Sequence, residues 1–179
     1  TLCDYRERDF SVKILILGDV MGMPGRKAVK KNLSKIIKEL EIDFSVINGE
    51  NAADDGRGIT KEIAEELFFQ GIDVITSGNH IWDKEETTKY IEKESRLLRP
   101  ANLAEGSPGK GFGIFFTKNK KYKVGVINLM GNVFMRKTDD VFITAKKIRE
   151  KIILKKNVDF SIVDFHGEIT SEKMAIGYF

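Results

Sequence analysis

Residues 72–80 read "IDVITSGNH": the β-branched run Val74-Ile75-Thr76 gives way to Ser77 and Gly78, and Asn79 and His80 come next. β-branched residues favour strands, and a glycine after them marks a turn. A strand is therefore predicted here with an amide and an imidazole at its carboxyl end. Three other apolar runs finish in the same way. "VKILILGDV" (12–20) ends at Asp19, "DFSVINGEN" (43–51) at Glu50 and Asn51, and "VDFSIVDFHGE" (158–168) at His166, which with His80 completes the chain's pair of histidines. The first run reads as a strand buried on both faces.

Helical patterns lie between these strands. After Pro24 and Gly25, residues Val29, Leu33, Ile36, Ile37 and Leu40 recur at helical spacing, with lysines opposite. Ile63, Ala64, Leu67 and Phe68 mark a second helix stopped by Gly71. Asp83 and Glu86 have the spacing of a capping box, which predicts a helix to about Lys93. "LLRPANL" (97–103) reads as extended, and residues 112–129 as two strands around the lysine-rich turn "KNKKYK". A helix is predicted over 142–156, with Ile143, Ile148, Ile152 and Ile153 inward, and another begins at "TSEKMAIGYF". Strands alternating with helices argue for an α/β fold on a largely parallel sheet, with one antiparallel addition.

The 179 residues suit one domain, 1–179, with residues 1–11 as an N-terminal tail. Thirty basic and 27 acidic residues nearly cancel, so charge alone demands neither nucleic acid nor membrane as a partner. The single Cys3 excludes an internal disulfide framework and fits a reducing compartment. No apolar run nears the roughly 18 residues of a membrane helix, and the expectation is a cytoplasmic protein.

In an open parallel sheet the strands' carboxyl ends share one edge, where ligands bind. Taken singly, Asp19 reads as a cap or turn residue and a lone histidine as structural. Four such endings together, carrying two carboxylates, two amides and both histidines, read as one site. Oxygen donors with imidazole suit a divalent transition ion such as Mn²⁺, Fe²⁺ or Zn²⁺. "GDVMGMPG" lacks the dinucleotide spacing, and no P-loop or GxSxG elbow occurs. Metal-assisted hydrolysis is the best-supported reaction class.

"GDVMGMPGR", "INGENAADDGRGIT", "SGNHIWDK", "NLMGNVF" and "DFHGEITSEKMA" closely resemble the bacterial YmdB-like metallophosphoesterases, collinearly from about Val12 to the last residue. The resemblance implies a calcineurin-like αββα sandwich around two divalent ions, Fe²⁺ or Mn²⁺ first and Zn²⁺ or Mg²⁺ as alternatives. It implies hydrolysis of phosphodiesters, notably 2′,3′-cyclic nucleotides, with RNA ends as a further substrate and a homo-oligomer as the assembly. Asp19, Glu50 and Asn51 would serve the first ion, with Glu50 bridging to a second held by Asn79 and His166. A shared hydroxide would attack phosphorus while His80, not itself a ligand, protonates the leaving oxygen.

Relatives continue with a Gly-Thr-His-Thr-His segment absent here. The expectation is a fragment of a longer protein, its sandwich incomplete at the C-terminal end and its second ion weakly held. Asn132 also stands where relatives often carry Arg, with Arg136 nearby as a substitute. Two other readings stay open: a regulatory or RNA-associated protein whose centre no longer turns over, and a metal-free nucleotide-binding domain.

Overall fold

A computed structural model describes residues 12–179, and these form two three-stranded sheets where one open sheet was expected from the strand pattern. The first sheet is parallel throughout, in the order β1 (Ile14–Asp19), β2 (Phe44–Asn48), β3 (Val74–Thr76). The second runs β4 (Phe112–Phe116), β5 (Lys123–Met130), β6 (Phe160–His166), with β4–β5 antiparallel and β5–β6 parallel. The helices are α1 (Gly22–Glu39), α2 (Lys61–Phe69), α3 (Glu85–Tyr90), α4 (Val141–Arg149) and α5 (Thr170–Tyr178).

Alternation along the strands explains the layers. Phe44 and Val46 of β2 meet Val124 and Val126 of β5 and Ile162 of β6 in a core between the sheets. Ile47 points the other way, into a core with Leu33 of α1 and Ile63 and Leu67 of α2. Ile127 and Leu129 of β5 pack against Val141 and Ile148 of α4. The order is helices, sheet, sheet, helices, the sandwich that the resemblance implies. β2 is central in the first sheet and every one of its residues is buried.

Several local expectations are corrected. β1 is an edge strand, and Ile16 is 62% exposed, so it is not buried on both faces. The capping box at 83–86 does not form. Lys84 is the N-cap, Asp83 binds His80 instead, and Glu86 Oε1 accepts the Lys61 N–H of α2 at 2.9 Å. Without that cap α3 is short and ends at Tyr90. α4 stops at Arg149, short of residue 156, and its start is fixed by Asp140, which accepts the Ile143 N–H at 2.8 Å. That register turns Val141 and Ile148 inward and leaves Ile143 and Ile153 exposed.

Leu97 bridges to Ile75 beside β3, and Leu98 makes a separate isolated bridge to Lys110. Trp82 packs partly buried against the core under α1 and α2. Lys118, Lys120 and Lys121 form an exposed hairpin tip. Among the described residues no helix is long and apolar enough to cross a membrane. Cys3 and the predicted tail lie outside the described residues.

Candidate metal centre

Parallel pairing delivers the carboxyl ends of β1, β2 and β3 to one edge. Contacts across the layers bring the end of β6 to the same place. Asn48 Nδ2, at the end of β2, donates to Asp164 Oδ2 of β6 at 3.0 Å. Two small groups of predicted residues form there. In one, Asn51 Nδ2 donates to Asp19 Oδ2 at 2.7 Å. In the other, His166 Nε2 lies 3.0 Å from Asn79 Oδ1 and 2.8 Å from Glu50 Oε2. His80 takes no part in these contacts. Its Nδ1 is 2.7 Å from Asp83 Oδ2, three residues on.

Glu50 is the buried member, with 1% of its surface exposed. Its backbone N–H is held by Asn48 Oδ1 at 3.1 Å. Its Oε2, although near His166, accepts no well-directed hydrogen bond. Such an oxygen is costly to bury without a cation or donor. Gly78 makes the approach possible: a Cβ there would lie 1.7 Å from Glu50 Oε2 and 2.5 Å from His166 Cδ2.

Burial alone would lower the pKa of His166. The Glu50 carboxylate close by, helped by the charges of Asp164 and Asp19, more than offsets this and raises it above the usual imidazole value. A proton on His166 thus partly answers the negative charge collected at this edge. A divalent transition ion is answered by the same donors, since carboxylate and amide oxygens with one imidazole suit its preferences. Among the described residues no three His, Cys, Asp or Glu side chains gather by themselves into a metal-holding group. The contacts run instead through the amides of Asn51 and Asn79.

Four residues that hold the site were not anticipated. Asp83 has a local signal, its spacing from His80, but the competing helix-cap reading obscured it. Asn128, buried in β5, accepts the Ser77 N–H at 3.1 Å and donates to the Ser77 carbonyl at 3.0 Å, pinning the turn that carries Asn79 and His80. Asn48 and Asp164 form another link between the sheets. Asn132 spends its amide within its own loop, its Oδ1 accepting the Thr138 N–H at 2.9 Å. Arg136 is exposed.

The family described as YmdB-like protein matches residues 15–179. The chain is 42% identical over 168 residues to a 2′,3′-cyclic-nucleotide 2′-phosphodiesterase of Bacillus subtilis, covering 94% of this chain and 62% of that protein. It is 35% identical over 171 residues to a putative phosphatase/phosphodiesterase of Mycoplasma pneumoniae, covering 92% of this chain and 58% of that protein. A solved structure of a phosphatase from Mycoplasma pneumoniae superposes with a TM-score of 0.83 at 33% identity, over 94% of this chain and 60% of that one. The chain thus spans about three-fifths of the length of the relatives it matches.

Proposed function

Because this chain belongs to the YmdB-like family, we propose that it is a metal-dependent phosphodiesterase acting on 2′,3′-cyclic nucleotides. Asp19, Glu50 and Asn51 would hold one divalent ion, and Glu50, Asn79 and His166 a second, with Fe²⁺ or Mn²⁺ preferred. The observation that carries this reading is the Glu50 carboxylate, buried at the meeting of two sheets with Oε2 lacking a directed donor. Ions bound there would supply Lewis-acid polarisation of phosphoryl oxygens and acidify a water.

The chain's own groups do the remainder. Asn48 fixes the Glu50 backbone, and Asn79 and His166 orient each other. Asp83 holds His80 through Nδ1, which sets the ring orientation and leaves Nε2 to deliver a proton to the departing ribose oxygen.

His80→Ala is expected to lower kcat on 2′,3′-cyclic AMP by roughly 10²–10⁴-fold while elemental analysis finds the metal content retained. A variant that lost its ions and kept its rate per loaded site would refute the assignment. The alternative is a regulatory or RNA-associated protein whose centre does not turn over. The lack, among the described residues, of three clustered His, Cys, Asp or Glu side chains favours it. Bound ions without hydrolysis of the cyclic nucleotide would select it.

A further inference from the structure

β5 runs out at the site edge into "GNVFMRK", residues 131–137. The Gly131 N–H donates to the His166 carbonyl at 2.8 Å, tying this segment to a residue of the centre. Glu172, in the first turn of α5, accepts the N–H groups of Asn132 at 2.8 Å and Val133 at 3.3 Å. Asn132 Oδ1 also accepts the Thr138 hydroxyl at 2.6 Å, so the loop is closed on itself.

Between these pins Phe134 adopts a φ of 61° and is 87% exposed. Phenylalanine is an unfavourable choice on both counts. The left-handed region penalises a bulky side chain, and glycine or asparagine would relieve it. Exposure forfeits the burial that usually justifies an aromatic residue. Strain of this kind persists where the surroundings enforce it, and such places cluster at binding sites. Three residues of chain span at most about 10 Å, which bounds how far Phe134 stands from Gly131 and its contact with His166.

We propose that Phe134 is a stacking platform for the base of a nucleotide bound at the His166 edge. This rests on the phosphodiesterase reading and makes it more specific. An uncharged ring offers a flat face and reads no base edges, so the substrate class is nucleoside phosphodiesters with little discrimination among bases.

The test uses the 179-residue chain and its variants Phe134→Ala, Phe134→Gly and Phe134→Tyr. Calorimetry compares adenosine 3′-monophosphate with ribose 5-phosphate, and kinetics compare 2′,3′-cyclic AMP with the 2′,3′-cyclic phosphate of methyl riboside. Ala and Gly are expected to cut the preference for the base-bearing compound by roughly 5- to 100-fold in binding and in KM, and Tyr to restore it. Gly is also expected to raise Tm by relieving the backbone, which removal of a merely structural aromatic would not do. The platform is refuted if the wild type binds both compounds equally, or if Ala weakens both alike. It is also refuted if sedimentation shows Ala changing only the association of copies. Failure of the wild type to hydrolyse either diester would count against the phosphodiesterase reading, while the calorimetric comparison still decides the role of Phe134.

Discussion

In the first sheet β1, β2 and β3 lie parallel, so Asp19, Glu50, Asn51, Asn79 and His80 reach one edge through topology alone. The second sheet sends only His166 among the candidate ligands, from the end of β6. Its larger contribution is support: Asn128 grips the turn after β3 and Asp164 grips Asn48. One sheet carries most of the candidate residues, and the other holds several of them in place. A site divided this way is sensitive at the seam, where backbone from one sheet meets side chains from the other.

Gly78 lies on that seam, and its replacement is expected to have the largest effect. In Gly78→Ala the new methyl would occupy the position of Glu50 Oε2, so the buried carboxylate and His166 must both move. Overpacking of this kind costs about 1–3 kcal/mol. A displacement near 1 Å at a reacting centre costs on the order of 10²-fold in rate. Thermal unfolding and turnover of 2′,3′-cyclic AMP measure the two effects. Full activity in this variant would mean that the close approach of Glu50 to Gly78 has no part in the chemistry.

Asn128→Leu tests the supporting sheet. It preserves approximate volume but leaves the Ser77 N–H and carbonyl buried without their partners. The expected loss is about 2–4 kcal/mol of stability, since each stranded group costs roughly 1–3 kcal/mol. Metal affinity by calorimetry should fall as well, because Asn79 is carried on the freed turn. Loss of stability with unchanged affinity would confine Asn128 to holding the sheets together.

The same division governs what the sequence made legible. Asp19, Glu50, Asn79 and His166 were visible because each directly follows an apolar run, and a strand end is a local signal. The clamp between Asn128 and Ser77 spans 51 residues, and no short-range pattern encodes it. Asp83 was visible but misread: an acidic residue three before Glu86 satisfies the capping pattern, and only the fold shows that His80 takes its carboxylate. The split into two sheets was hidden for a related reason. An alternating strand–helix order fits one parallel sheet until β5 is seen to pair with β4 and β6 and not with β3.

The smallest effect is expected at the opposite end of the first sheet, where Asp73 precedes β3. Its Oδ2 accepts the Ser45 N–H and hydroxyl, each at 2.8 Å, and Lys118 of the hairpin tip is 4.0 Å away. Burial raises its pKa, and the Ser45 hydrogen bonds and the Lys118 charge offset only part of that. A carboxyl whose pKa is higher folded than unfolded binds its proton more tightly in the native chain. Its contribution is therefore most favourable below the ordinary carboxylate range and is lost as pH rises through the raised value. Asp73→Asn removes that titration while retaining an acceptor for Ser45. Relative to the wild type it should gain stability as pH rises from about 4 towards 7. Turnover should be unchanged, because this end of the sheet carries no candidate ligand. Tm measured on both proteins across that range decides the matter: a deficit in the variant that widens with pH would mean that the ionised carboxylate, through Lys118, braces the two sheets at this end too.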